Sequence, residues 1–305
     1  MTAPMHPDQP ETSVDLVRRL LAAQHPQWAN LPVRPVREAG TDHALYRLGD
    51  DLVVRLPVVG WAAGQAAQDA RWLPLLGRHL PLAVPVPVAL GEPTEEFPWP
   101  WSVVPWFAGT TPDRDDLDLH RAAEDLAATV RALHAVPTDG GPPVGGTSRG
   151  TPLHRLAEPI VEEIERIVAD DRPLLDGIDP TAVREAWQLI TSADEWDRPP
   201  VSIHVDIQPG NLVSRDGRLV ALIDFGALGV GDPAPDLAPA WNLFSGTTRE
   251  TFREHVGYDA ATWARAAGWV LAPALTGLRY YAESRPDLVR AGRQHIRSVV
   301  SGRLA

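Results

Sequence analysis

The sequence predicts an α+β protein with a smaller lobe that carries strands and helices, followed by a larger, mostly helical lobe. Three observations predict it. The chain has 305 residues, too many for one small core. A strand–turn–strand pattern stands in its first third, in "ALYRLGDDLVVRLP". After the Gly/Pro break in "WFAGTTP", apolar residues recur mainly at helical spacing.

In chain order, "MTAPMHPDQPETS" is Pro-rich and polar, an expected disordered start without the layout of a signal peptide. "SVDLVRRLLAAQ" reads as a short amphipathic helix, and "GDD" is the turn between the two strands that follow. "GQAAQDARWLPLLGRHL" is a helix, and "LAVPVPVALGEP" a Pro-rich strand region. "PWSVVPWFAGTTP" is a strand running into a hinge. "DLHRAAEDLAATVRALHAV" places Leu119, Leu126, Val130 and Leu133 near one helical face. "PTDGGPPVGGTSRGTP" is a long loop. Helices are expected around 159–169 and 180–193, then a two-strand unit, then helices to the end. No internal repeat is visible.

Composition removes whole classes of chemistry. The formal net charge of -12 argues against a nucleic-acid partner, which wants a basic stripe, and suits a cationic small substrate. No apolar run is long enough for a bilayer span, so a cytoplasmic protein with no membrane partner is expected. There is no cysteine, which excludes disulfides, thiolate nucleophiles and cysteine zinc sites. There is no lysine either, which excludes Schiff-base chemistry and a P-loop lysine.

The densest polar stretch is "VSIHVDIQPGNLVSRDGRLVALIDFG", 201–226. Asp216-Gly217 between two Val/Leu-rich runs is a strong two-residue hairpin signal, because a type I′ turn needs positive φ at both positions. Pairing Arg215 with Arg218 sets Val213 against Val220 and Asn211 against Leu222. Asp224 then follows on the face of Asn211. Diagonal neighbours on one sheet face lie about 7–8 Å apart at the backbone. That gap suits one hard cation between two oxygen-bearing side chains, and Mg²⁺ takes such ligands along with water and phosphate. Asp206 lies on the loop leading in. Singly, each of these residues is ordinary turn chemistry; the conjunction H-x-D-x-x-x-x-N, hairpin, "IDFG" points to a site.

At these residues the chain resembles the aminoglycoside phosphotransferase family, small-molecule kinases related in fold to protein kinases. "HVDIQPGNLV" is similar to that family's catalytic loop, and "LIDFGALGVGDPAPDLAPAW" to its metal-binding segment and following helix. "GTDHALYRLGDDLVVRLP", "WSVVPWFAG" and "RALHAVP" resemble its nucleotide loop, hinge and connecting helix. The resemblance runs from about Ser13 onward and implies a bilobal, protein-kinase-like fold. It divides the chain into a disordered 1–12, a nucleotide-binding N-lobe 13–104, a hinge 105–109 and a C-lobe 110–305 with the catalytic and acceptor-binding groups. It implies Asp206 as the base toward an acceptor hydroxyl, Asn211 and Asp224 as ligands to Mg²⁺, and His204 and Asp236 as supports. It places Gln208, where the family often has His, at the substrate mouth.

Kinase-like folds hold nucleotide phosphates with a strand lysine paired to a helix glutamate. In "LVVRLP", Leu52, Val54 and Leu56 share one strand face and Arg55 takes the other. In the next helix Asp69, Trp72, Leu73 and Leu76 share one stripe, where a carboxylate is costly unless paired. An Arg55–Asp69 pair, open to bidentate contact, is therefore expected in place of Lys–Glu. Gly40 and the backbone of Thr41, Asp42 and His43 are expected over the phosphates. The family pattern further implies that the base is read by the Pro105 carbonyl and the Phe107 amide, with Val104 behind; Trp99, Trp101 and Trp106 pack nearby or in the core.

Three other readings compete. "GTSRG" matches a serine nucleophile elbow, but Pro and Gly surround it where a strand and a helix are required, so Ser148 reads as a loop serine. A metal-dependent hydrolase would use His204, Asp206 and Asp224, yet wants more ligands in one cluster. A silent nucleotide-binding module would not need the base. The expected function is transfer of the terminal phosphate of ATP or GTP to a hydroxyl of a small molecule. The leading acceptor is an aminoglycoside-type antibiotic; the alternatives are a macrolide, amino sugar or metabolite. Asp232, Glu250, Glu254, Glu283 and Asp287 are acidic candidates to meet a cationic acceptor, Asp232 and Glu283 first among them. The protein is expected as a monomer or homodimer.

Overall fold

The structure, a computed structural model, describes residues 10–36, 42–138 and 151–302. The chain divides into two compact units, one of 1–109 with 221–226, the other of 110–220 with 227–305.

The first unit opens with α1 (Val14–Gln24), whose Ser13 side chain caps it by accepting the Leu16 N–H. Three strands follow, β1 (Val33–Pro35), β2 (His43–Leu48) and β3 (Leu52–Pro57), then α2 (Gln65–Leu76), β4 (Ala89–Gly91) and β5 (Trp101–Pro105). They form one antiparallel sheet in the order β1-β2-β3-β5-β4. Alternation divides its faces. Leu16, Val17, Leu20 and Leu21 of α1 share a core with Tyr46, Leu48, Val54, Leu56 and Trp101. Val53 and Arg55 therefore lie on the opposite face, where they pair with Val104 and Ser102 of β5. Gly91 admits Trp101 to that core: a Cβ there would sit 1.8 Å from the indole.

The Pro-rich stretch 82–93 forms only the short β4, because Pro85 and Pro87 remove ladder donors. Its Ala83 instead bridges Ala221 and accepts the Leu222 N–H at 2.9 Å. This attachment groups 221–226 with the first unit, whereas the sequence reading kept everything after 110 in one lobe.

The second unit is mostly helical. It contains α3 (Leu119–His134), α4 (Ala157–Val168) and α5 (Pro180–Thr191), then β6 (Val201–Ile203). Next come β7 (Leu212–Arg215) and β8 (Arg218–Leu222), which pair as a hairpin, and β9 (Gly229–Gly231), which pairs with β6. The hairpin turns at Asp216 and Gly217, with φ of 53° and 74°, as the type I′ signal requires. The chain ends through α6 (Pro239–Asn242), α7 (Gly246–Val256), α8 (Ala260–Tyr280) and α9 (Pro286–Val300). Gly292 lets α9 approach α8 closely, since a Cβ there would meet the Ala274 carbonyl at 3.3 Å. Among the described residues, no helix is long and apolar enough to cross a membrane.

Candidate active site

In the second unit the chain leaves β6 and enters a loop whose backbone departs from extended geometry. Val205 has a φ of 76°, a conformation costly for a β-branched residue, of order 1–3 kcal/mol. What holds it is Asp236, fully buried on the short 3₁₀ turn Ala234–Leu237. Its carboxylate accepts the His204 N–H at 2.9 Å and the Val205 N–H at 2.6 Å, and faces His134 Nε2 at 3.1 Å. His134 Nδ1 lies 2.8 Å from the Tyr258 hydroxyl. Burial, helped by the charges of Asp236 and Asp232, pushes the Tyr258 phenol up to about 12, so it stays protonated and donates to Nδ1. His134 then donates through Nε2 to Asp236, which fixes its tautomer. The buried His204 imidazole accepts the Asp206 N–H at its Nδ1, at 3.3 Å.

The bent loop presents Asp206. Its Oδ2 accepts from Gln208 Nε2 at 3.0 Å and Asn211 Nδ2 at 2.9 Å, and Asn211 Nδ2 also reaches the Asp206 carbonyl at 2.8 Å. Both amide hydrogens of Asn211 thus go to Asp206, which leaves its carbonyl oxygen as the end suited to a cation. Asp206 and Gln208 line a cavity of about 230 Å³ walled in large part by α8 and α9, with Pro235 and Ala238 also in the lining. Asn242 borders it and donates to the Ile207 carbonyl at 3.2 Å.

In the first unit, Arg55 Nη1 donates to Asp69 Oδ2 at 3.0 Å, with the two side chains 11% and 4% exposed. The contact runs through one N–H, in place of the bidentate fork expected. Burial raises the Asp69 carboxyl to about 6; the nearby charge of Asp224 also raises it, and Arg55 acts in the opposite sense. Asp224 itself has a φ of 63°. One helical turn before Asp69, the buried Gln65 lies against Gly226, where a Cβ would meet its Nε2 at 2.1 Å. The Gln65 Oε1 is buried without a hydrogen-bond partner among the described residues. Arg55, Asp69, Asp224, Gln65 and Gly226 are thus brought together.

The remaining predicted residues divide. Asp42 accepts from Trp61 Nε1 at 3.3 Å through its side chain and from the Val58 N–H at 2.9 Å through its carbonyl. His43 starts β2, and burial lowers its imidazole to about 3, so it is neutral. Val104 is buried, Pro105 ends β5, and the Phe107 N–H has no hydrogen-bond partner among the described residues. Trp101 belongs to the α1 core, Trp99 packs edge-on to Phe97, and Trp106 lies under Arg47. Gly40, Thr41, Ser148 and residues 1–9 lie outside the described residues. Asp232 and Glu283 are not brought to the cavity beside Asp206. Asp232 is held by Arg265 at 2.7 Å, and Glu283 lies 3.3 Å from Arg172.

Sequence reasoning missed His134, Tyr258, Asn242 and Gln65. Two carried a signal: His134 falls four residues after Val130 in the apolar stripe of α3, and Gln65 four before Asp69 in α2.

A family model described as "Phosphotransferase enzyme family" matches residues 33–269, so the chain belongs to that family. Among solved structures, the GDP and kanamycin complex of APH(2")-IIIa aligns with a TM-score of 0.69 and 19% identity, over 94% of this chain and 98% of that one. Macrolide 2'-phosphotransferase MphH from Brachybacterium faecium aligns at 0.60 and 23% identity, over 93% and 97%. Macrolide 2'-phosphotransferase type I aligns at 0.60 and 20%, also over 93% and 97%. These likenesses show a shared kinase-like fold. No curated protein matches the chain.

Proposed function

We propose that this phosphotransferase moves the terminal phosphoryl group of ATP or GTP to a hydroxyl of a small-molecule acceptor. The acceptor oxygen forms a bond to the terminal phosphorus, the bond from that phosphorus to the bridging oxygen breaks, the nucleoside diphosphate leaves, and the hydroxyl proton passes to Asp206. The observation that carries the reading is the Asp206 carboxylate at the wall of a cavity, oriented by Asn211 and Gln208.

In this reading Arg55, steadied by Asp69, meets the nucleotide phosphates, with the backbone of Gly40, Thr41, Asp42 and His43 over them. The unpaired Phe107 N–H and the Pro105 carbonyl read the base in front of Val104. Asn211 and Asp224 are assigned as ligands to Mg²⁺. Both present oxygen, and the spent amide hydrogens of Asn211 suit that role. The ion, when bound, would neutralise charge on the phosphates. His204 and Asp236 hold the loop. Among the described residues no group of three or more His, Cys, Asp or Glu forms a metal cage, which disfavours a metal-dependent hydrolase.

An aminoglycoside acceptor, the reading favoured by family resemblance, and a macrolide-like acceptor both satisfy this chemistry; the walls beside Asp206 bear on the choice. The test is acceptor-dependent release of nucleoside diphosphate over a panel of amino sugars, macrolides and simple hydroxyl metabolites, with Asp206→Ala as the blank. Release only with an acceptor, lost in Asp206→Ala, is expected; release indifferent to both contradicts the proposal.

A further inference from the structure

The cavity beside Asp206 is walled mainly by apolar groups. Helix α8 contributes Trp269, Val270 and Ala274, and α9 contributes Ala291 and Gly292. Val205 and Ile207 flank Asp206 itself. Among the described lining residues Asp206 is the one carboxylate, and it is needed for the reacting hydroxyl. Of the other polar groups in the lining, Gln208 donates to Asp206 and Asn242 Nδ2 to the Ile207 carbonyl; the Asn242 Oδ1, buried without a partner among the described residues, and the Tyr281 phenol are uncharged groups that suit a hydroxyl. His295, on α9, is shifted below its ordinary value by burial and so is neutral at pH 7.

The acids that the sequence singles out for a cationic acceptor do not line this cavity. Asp232 pairs with Arg265 at 2.7 Å, Glu283 with Arg172 at 3.3 Å, Asp287 with Arg285 at 2.8 Å and Glu163 with Arg279 at 3.1 Å. Glu250 and Glu254 stand exposed on α7, away from the cavity lining. A cationic part of an acceptor entering here would shed its water and meet one carboxylate in return, a loss that apolar walls do not offset. A ring with few polar groups gains from the same walls, and one hydroxyl can face Asp206. The volume of about 230 Å³ lies below the range of about 300–1,000 Å³ usual for drug-sized ligands, so it receives one part of a larger acceptor.

We infer, on the footing of the phosphotransferase reading, that the acceptor enters this cavity with a neutral, largely apolar ring system bearing one hydroxyl, and that polycationic amino sugars are poor substrates. The net charge of -12, the excess of 40 acids over 28 arginines, then serves solubility.

The test compares kcat/KM of the full chain for three hydroxyl acceptors: a neutral macrocyclic lactone, a neutral disaccharide and a polycationic aminocyclitol. Each is measured at about 0.05 and 0.5 M salt, because screening weakens binding between charges and spares apolar contact. The lactone is expected to lead by about tenfold or more, a step within reach of pocket discrimination, with little salt dependence. Ala291→Asp, on a half-buried position of α9, is expected to cost the lactone about tenfold and narrow its lead. A lead by the aminocyclitol that collapses in high salt, a lead by the disaccharide, or indifference to Ala291→Asp overturns the inference and leaves phosphoryl transfer standing. Turnover untouched by Asp206→Ala overturns the phosphotransferase reading and the inference with it.

Discussion

Two buried aspartates, Asp69 in the first unit and Asp236 in the second, are 3% and 0% exposed and serve opposite ends. Asp69 faces one guanidinium through one hydrogen bond, with a second carboxylate, Asp224, near enough to raise its pKa further. Asp236 gathers two backbone N–H groups and an imidazole whose far nitrogen is itself held by a phenol. The first arrangement keeps an arginine in place and stays close to titration. The second spends its acceptors on shaping the backbone that carries Asp206. The difference teaches that burial alone does not set a carboxylate's task; the number and kind of its donors do.

Truncating the well-donated acid should show the larger effect. Asp236→Ala strands two backbone N–H groups and His134 and releases the strain at Val205. A loss of about 3–5 kcal/mol of unfolding free energy in urea titrations is expected. A loss under about 1 kcal/mol would erase the distinction between the two aspartates.

Asp69 should show itself through pH. Its folded-state value of about 6 lies above the ordinary 3.8, so between these the native chain holds a proton that the unfolded chain has released. Unfolding free energy therefore falls as pH rises through that window, by on the order of 3 kcal/mol, and levels off above it. Asp69→Asn should flatten this slope while leaving the rest of the profile in place. An identical slope in the variant would assign it to other groups.

Removing the cation tests the same pair from its other side. Arg55→Ala is expected to raise the KM for nucleotide by about 10–100-fold. Because the pair uses a single N–H, Arg55→Lys should recover most of that loss. The smallest effect belongs to the contact behind it. Gly226→Ala presses a methyl into Gln65 and should cost about 1–3 kcal/mol, part of which Gln65→Ala in the same chain returns, a coupling of at least about 0.5 kcal/mol.

What was legible in the sequence was local. The Asp216-Gly217 turn announces its own geometry because left-handed φ has few tenants. Arg55 and Asp69 could be paired because strand alternation and helix period each assign a face, and a lone carboxylate in an apolar stripe needs a partner. The contacts around Asp236 come from α3 and from Tyr258 beyond α7, and no periodicity relates those segments. For the same reason Asp232 read as a free acid until Arg265 of α8 stood beside it. The apolar cavity was equally hidden: α8 is buried along most of its length, and only the meeting with α9 shows which residues line a space. The grouping of 221–226 with the first unit rests on Ala83, more than a hundred positions upstream.

The most direct measurement is phosphorus NMR of a reaction containing nucleoside triphosphate, Mg²⁺ and acceptor. The account predicts a new phosphate monoester resonance that grows in step with nucleoside diphosphate, needs the acceptor and falls by about 10²–10⁴-fold in rate in Asp206→Ala. Inorganic phosphate as the sole product, formed equally without acceptor and equally by Asp206→Ala, would contradict it.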